Sequence, residues 1–344
     1  MSKKLSFTVL SLILSVIIFL AAGEIIIRIE ASIEGGHIWT PDPYLHTQHI
    51  PNTYFASKGR ENEFIGHGYI NKWGFIGKPC NIGKNQGTLR IITVGDSFTE
   101  AVQVDMGKNY SSRLEQLFKE RGENVEVINA GMSGYSPKLE YLYIRDRLLK
   151  FKPDYIIVQL FANDVYDDHY QYKNIKDNVN PPFGRSFIYQ HSRFYHYFSR
   201  QKVKLAKKIS KKEKFPVDQF FFIREGNDEL KKEAWRDTED YLSRIKEIAD
   251  SNKIKLIVFI APLEFQVKGV ENINNPFYFD KKPTDDFDNA AREFCKAHDI
   301  DFIDMLKILK DNKNQALYYP LDGHLNENGH KLVAETIFEF MEGK

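Results

Sequence analysis

Cysteine is nearly absent: Cys80 and Cys295 are the only two in 344 residues. Two thiols so far apart make no disulfide scaffold, and no zinc-ligand spacing surrounds them. They can pair only if the chain faces an oxidising compartment, and they stay unassigned. A dominant charge is missing too. The 48 Lys and Arg against 47 Asp and Glu leave a formal net charge of +1, so no global field draws the chain to nucleic acid. Aromatics are plentiful, with 26 Phe and 18 Tyr. The length suits one large domain with additions, or two domains.

One apolar run is long enough to matter. Residues 5–22 carry no charge, Lys3 and Lys4 precede them, and Glu24 and Arg28 follow. Residues 1–30 therefore read as a membrane span with its far interface at Glu24 and Arg28. Ala21-Ala22-Gly23 also offers a signal-peptidase site, which would release the chain. The apolar pattern continuing through Ile25, Ile26, Ile27 and Ile29 favours an uncleaved anchor. In both cases the two lysines favour an inside N-terminus, leaving the bulk of the chain outside the cytoplasm, periplasmic or extracellular.

Residues 31–88 are rich in Gly, Pro, Asn and aromatics, with no sustained period of two or 3.6. They read as an irregular lead-in packed on the main domain. His46, His49 and His67 fall here and raise a metal hypothesis. No carboxylate accompanies them at ligand spacing, so packing or surface histidines are the default and no metal is expected.

Residues 89–344 read as one α/β domain. Apolar stretches at 89–94, 125–128, 155–160, 254–260 and 301–303 are predicted strands. Helical patterns at 110–121, from Pro137 onward, and at 227–251, 285–298 and 327–340 lie between or after them. Alternation in units of about 30 residues implies right-handed crossovers and a parallel sheet. Regularity lapses in an insertion at 166–225, which is polar, basic and aromatic, with Pro181-Pro182 and a lysine-rich stretch at 202–214. A connection this long is usually functional or mobile. Its basic run can meet an anionic polymer or lipid headgroups, but a solvated helix face is the preferred reading.

Chemistry gathers at the strand ends. Gly95-Asp96-Ser97 follows the first strand, where a parallel sheet places ligands. Ser97 is placed as a nucleophile, although Asp-Ser also serves as a plain helix cap. The partners further along weigh on that choice. His324 can take the serine proton, and Asp322 can hold the imidazole tautomer. The backbone N–H groups of Ser97 and Gly134 and the side-chain amide of Asn163 are candidate oxyanion donors. Asp96 and Asp164 read as turn-stabilising, and His330 as packing.

These blocks resemble the SGNH (GDSL-type) hydrolase superfamily. The first block is Gly95-Asp96-Ser97-Phe98-Thr99, the second ends at Gly134, the third is Ala162-Asn163-Asp164, and the last holds Asp322 and His324. The stretch Asn71-Lys72-Trp73-Gly74-Phe75-Ile76-Gly77 resembles a segment that often precedes the serine block in membrane-anchored bacterial members. The resemblance implies a flavodoxin-like three-layer α/β/α sandwich with a five-stranded parallel sheet, and a metal-free esterase or acyltransferase that uses no cofactor. It also favours Gly134 over Gly131 as the glycine donor. Two positions depart from the family pattern. Ala162 stands where Gly is usual, and only Gly323 separates Asp322 from His324, a spacing similar to that of relatives that acetylate exported polysaccharides. If Asp322 fails to reach the imidazole, a dyad replaces the triad.

The expectation is thus a membrane-anchored, extracytoplasmic serine esterase or O-acyltransferase acting on O-acetyl esters. An acylated carbohydrate or other small ester is the implied substrate, with polysaccharide-modification partners. Phe183, Tyr189, Phe194, Tyr195 and Tyr197 in the insertion offer a sugar platform or ordinary packing. The rivals are a lipid esterase and a catalytically silent glycan-binding subunit.

Overall fold

The computed structural model describes residues 3–34, 38–42, 44–176, 191–209, 215–269 and 283–343. The chain begins with a helix at Lys3–Glu34. Its segment Phe7–Glu30, with mean hydropathy 2.6, is the one helix among the described residues long and apolar enough to cross a membrane.

The lead-in differs from its irregular reading, because it holds two antiparallel hairpins. Strand β1 (Trp39–Asp42) pairs with β2 (His46–His49), and β3 (Thr53–Lys58) pairs with β4 (Ile65–Ile70). The sequence hid them for physical reasons. The first hairpin's strands are only four residues long, and β1 contains Pro41. Strand β4 carries two glycines, normally marks against a strand. Here a Cβ on Gly66 would lie 2.2 Å from the Val102 carbonyl oxygen, and one on Gly68 2.4 Å from the Phe55 ring. Both glycines are needed for close approach.

The main sheet follows the alternating pattern. Strands β5 (Leu89–Val94), β6 (Val125–Asn129), β7 (Tyr155–Leu160), β8 (Lys255–Ile260) and β9 (Asp301–Ile303) run parallel in the order β6-β5-β7-β8-β9. The three central strands are nearly continuous apolar runs because helices cover both faces. The Tyr110–Glu120 helix packs on the closing Glu327–Glu342 helix, and the Pro137–Tyr143 helix on Asp228–Ser251. The fold is therefore a three-layer α/β/α sandwich, with the strand order reversing between β5 and β7. A bridge from Ile76 to Asn129 lays the lead-in along the β6 edge, which covers otherwise unpaired backbone groups.

Within the insertion, residues Arg193–Ile209 form a helix that packs against the N-terminal one. Phe183, Tyr189 and Pro181-Pro182 lie outside the described residues. Cys80 and Cys295 are both free and buried.

Candidate active site

The serine turn is built by close approach. A Cβ on Gly95 would stand 2.3 Å from Thr99 Oγ1 and 2.5 Å from Gln159 Oε1, so glycine alone lets β5 end here. Asp96 accepts the Phe98 N–H at 2.9 Å and caps the short Ser97–Glu100 helix. The cap is thus realised on Asp96, and Ser97 is the first residue of the helix it caps. Asp96 is buried, which pushes its carboxyl up to about 6 against the lowering effect of that N–H.

The second block is stitched to the first. Asn129 donates from Nδ2 to the Thr99 carbonyl at 2.7 Å and accepts the Gly131 N–H at 2.9 Å. The Met132 N–H reaches the Gly95 carbonyl at 2.9 Å. A Cβ on Gly131 would lie 2.3 Å from the Glu100 nitrogen. Gly131 is therefore a packing glycine whose N–H is already engaged. Gly134, at φ +76°, turns the chain in the left-handed region, and its carbonyl accepts from the Tyr172 hydroxyl.

The third block ends β7. Asp164 accepts the Phe161 N–H at 2.8 Å and fixes the turn that presents Asn163. Asn163 donates one Nδ2 proton to Asp167 at 2.8 Å, leaving the other free for an incoming acceptor. Its Oδ1 is buried without a partner among the described residues. Nearby are the buried acids Glu140, Asp164 and Asp167, all pushed well above the usual carboxylate range by burial first and then by the charges of Asp96 and Asp168, with Glu140 adding to the effect on Asp164. Asp168 joins them at about 6, raised by burial against donors from Ser136, Thr238 and Lys138.

The last block closes the constellation. Gly323, at φ +86°, bends the chain so that residues two apart can meet. The Asp322 Oδ1 lies 2.5 Å from His324 Nδ1, and His324 Nε2 lies 2.8 Å from Ser97 Oγ. Asp322 therefore does reach the imidazole across the short spacing. Burial works to raise the Asp322 carboxyl, but the His324 hydrogen bond and charge outweigh it and hold it below its ordinary value. The Phe98 ring lies 4.7 Å from the His324 ring. From the lead-in, Glu63 accepts the Leu321 N–H at 2.8 Å and steadies the loop.

A fifth feature was not read from the sequence. Glu100, fully buried, accepts from His49 Nε2 at 2.6 Å and Trp39 Nε1 at 2.6 Å, and also from the Ser133 hydroxyl. His49 Nδ1 faces the Gly74 carbonyl at 2.8 Å. This carboxylate ties the lead-in, the serine helix and the second block together. The only available signal was an acidic residue directly after the serine block, and its partner lies 51 residues upstream.

The other histidines go elsewhere. His67 faces Asp105 at 3.2 Å, His46 sits 5.3 Å from the Tyr172 ring, and His330 is buried 6.1 Å from the Tyr110 ring. Burial lowers the His330 imidazole to about 3. Among the described residues no group of three or more His, Cys, Asp or Glu side chains is placed to hold a metal ion.

Residues 93–332 match the model of the GDSL-like Lipase/Acylhydrolase family. An Arylesterase of Vibrio mimicus is 28% identical over 85 residues, covering 25% of this chain and 42% of that protein. The chain thus matches less than half the length of that relative. Among solved structures, the acetyl xylan esterase AlAXEase aligns at 16% identity and TM-score 0.44, over 73% of this chain and 99% of its own. TesA aligns at 12% identity and TM-score 0.42, over 74% of this chain and 98% of its own.

Proposed function

Because the chain belongs to the GDSL-like lipase/acylhydrolase family, we propose that it is a membrane-anchored serine esterase or O-acyltransferase. Its substrates on this reading are O-acyl, chiefly O-acetyl, esters of carbohydrate outside the cytoplasm. The observation that carries the reading is His324, which meets Ser97 through one ring nitrogen and Asp322 through the other.

In this mechanism Ser97 Oγ attacks the ester carbonyl as His324 Nε2 takes its proton. Asp322 holds Nδ1–H and steadies the imidazolium. The oxyanion that forms is met by the N–H groups of Ser97 and Gly134 and by the free Nδ2 proton of Asn163. Collapse expels the alcohol, which takes its proton from His324, and leaves acyl-Ser97. Water or a sugar hydroxyl then gives up a proton to His324 and accepts the acyl group. Hydrolysis and transfer use the same side chains, so exclusion of water decides between them.

The N-terminal helix supports membrane attachment, and Lys3 and Lys4 support an inside N-terminus. Phe19, which precedes the Ala21-Ala22-Gly23 site, meets the Phe194 ring of the insertion edge-on at 5.9 Å, and that docking favours retention of the helix over cleavage. The same docking favours a lipid ester as the second reading, because it holds the domain close to the bilayer.

The test is acetate release from p-nitrophenyl acetate by the full chain in detergent, beside Ser97→Ala. Serine-dependent release, unchanged by EDTA, is expected, and an acetylated oligosaccharide with and without a free sugar acceptor then separates water from transfer. A folded natural chain that releases acetate no faster than Ser97→Ala overturns the reading.

A further inference from the structure

The Arg193–Ile209 helix carries six Lys and Arg and no Asp or Glu. It is seated on the apolar N-terminal helix at a defined point. Glu24 accepts the N–H groups of Arg193 at 2.9 Å and Phe194 at 3.0 Å, and the Ser192 hydroxyl at 3.1 Å, satisfying donors that a helix start leaves open. The Phe194 ring lies over Gly23, where a Cβ would come within 2.4 Å, and meets the Phe19 ring edge-on at 5.9 Å. The helix is amphipathic and leaves Phe198 51% and Leu205 59% exposed, the pattern of a helix lying at a membrane surface.

Between this helix and the β1–β2 hairpin lies a cavity of about 1360 Å³, above the ~300–1,000 Å³ usual for small-molecule pockets. Its wall includes Leu20 of the N-terminal helix, Trp39 of β1, and Phe198 and Val203 of the basic helix. Arg200 and Lys202 line it too. Neither cation has a hydrogen-bond or ion-pair partner among the described residues, although the charge of Glu30 is near enough to act on Arg200. Asp42, the carboxylate on the wall, accepts the Tyr44 and Leu45 N–H groups of the hairpin turn through Oδ1. A largely apolar chamber beside a membrane-spanning helix, with two unpaired cations against one carboxylate engaged by its own hairpin turn, suits one chemistry.

We propose that this cavity binds an anionic membrane lipid, its acyl part against Leu20, Trp39, Phe198 and Val203 and its phosphate between Arg200 and Lys202. The proposal rests on the membrane-anchored reading of the N-terminal helix and on nothing in the acyl-transfer site. Failure of anchoring would show separately, as a chain that does not float with vesicles.

Trp39 is the one tryptophan of the three on the cavity wall, so it reports occupancy. The full chain is reconstituted in vesicles of phosphatidylcholine, with a fixed minor fraction of either brominated phosphatidylglycerol or brominated phosphatidylcholine. Trp39 fluorescence is read in a Trp73→Phe/Trp235→Phe chain, or as the difference between the natural chain and Trp39→Phe if that double variant misfolds. Brominated phosphatidylglycerol is expected to quench Trp39 and brominated phosphatidylcholine to leave it bright. Arg200→Gln with Lys202→Gln is expected to abolish the difference while acetate release in detergent is unchanged. No quenching by either lipid overturns the site. Equal quenching by both, insensitive to the two substitutions, reduces it to mere nearness to the bilayer and also overturns it.

Discussion

Asp322 Oδ1 lies 2.5 Å from His324 Nδ1 although a single glycine separates the two residues. Only the positive φ of Gly323 folds the chain tightly enough for that contact. Asp322→Asn keeps the shape and loses the charge that fixes the tautomer. A fall in kcat of about 10⁴-fold is expected, with KM little changed. Steady-state kinetics on p-nitrophenyl acetate check it, and an Asp322→Asn chain of normal kcat would make the site a Ser97–His324 dyad.

Asn163 is expected to act on the transition state alone. Asn163→Ala should lower kcat by about 10² to 10³ and leave substrate affinity unchanged. A variant with a raised KM and normal kcat would show that the amide only positions substrate.

Glu100 and His49 form a fully buried pair that joins the lead-in to the serine helix. Glu100→Gln removes the charge opposite His49 and is expected to cost about 3–5 kcal/mol of stability. Denaturant unfolding of the natural and variant chains measures it. A loss within about 0.5 kcal/mol, the range of ordinary surface changes, would mean the lead-in is not held through this carboxylate.

Acidity should act on Asp96 in a particular direction. Burial lifts its folded-state carboxyl from 3.8 to about 6, so the folded chain binds the proton more tightly than the unfolded one. The stability it contributes is therefore lost as pH rises through that window, not as pH falls. The thermal midpoint of Asp96→Asn relative to the natural chain should rise between pH 4.5 and pH 7.5. A flat difference would show that Asp96 titrates normally.

The sheet and the site were legible in the sequence for the same reason. Strands β5, β7 and β8 are apolar runs ended by small or polar turns, and Ser97 and Asn163 fall directly after two of those ends. What stayed hidden depends on contacts between distant stretches. The hairpins could not be read, because Gly66 and Gly68 serve a close approach to residues that are far off in sequence or on the other strand. Nothing local marks Glu100, whose role comes from His49, Trp39 and Ser133 converging on it. A solvated helix face was read for the basic run from 202, but the start of that helix at Arg193 stayed hidden because its opening donors are met by Glu24, in a segment read as membrane span. Gly134 was favoured over Gly131 by resemblance alone, and the Asn129 side chain, which occupies the Gly131 N–H, adds a physical reason.

The central claim is that Ser97 is a nucleophile activated by His324. A fluorophosphonate that reacts only with activated serines tests it most directly, read by intact-mass and peptide mass spectrometry on the full chain in detergent. One adduct per chain is expected, at Ser97, lost in Ser97→Ala and slowed by orders of magnitude in His324→Ala. A folded natural chain that takes up no label, or takes it up at Ser97 as fast without His324, would contradict the account.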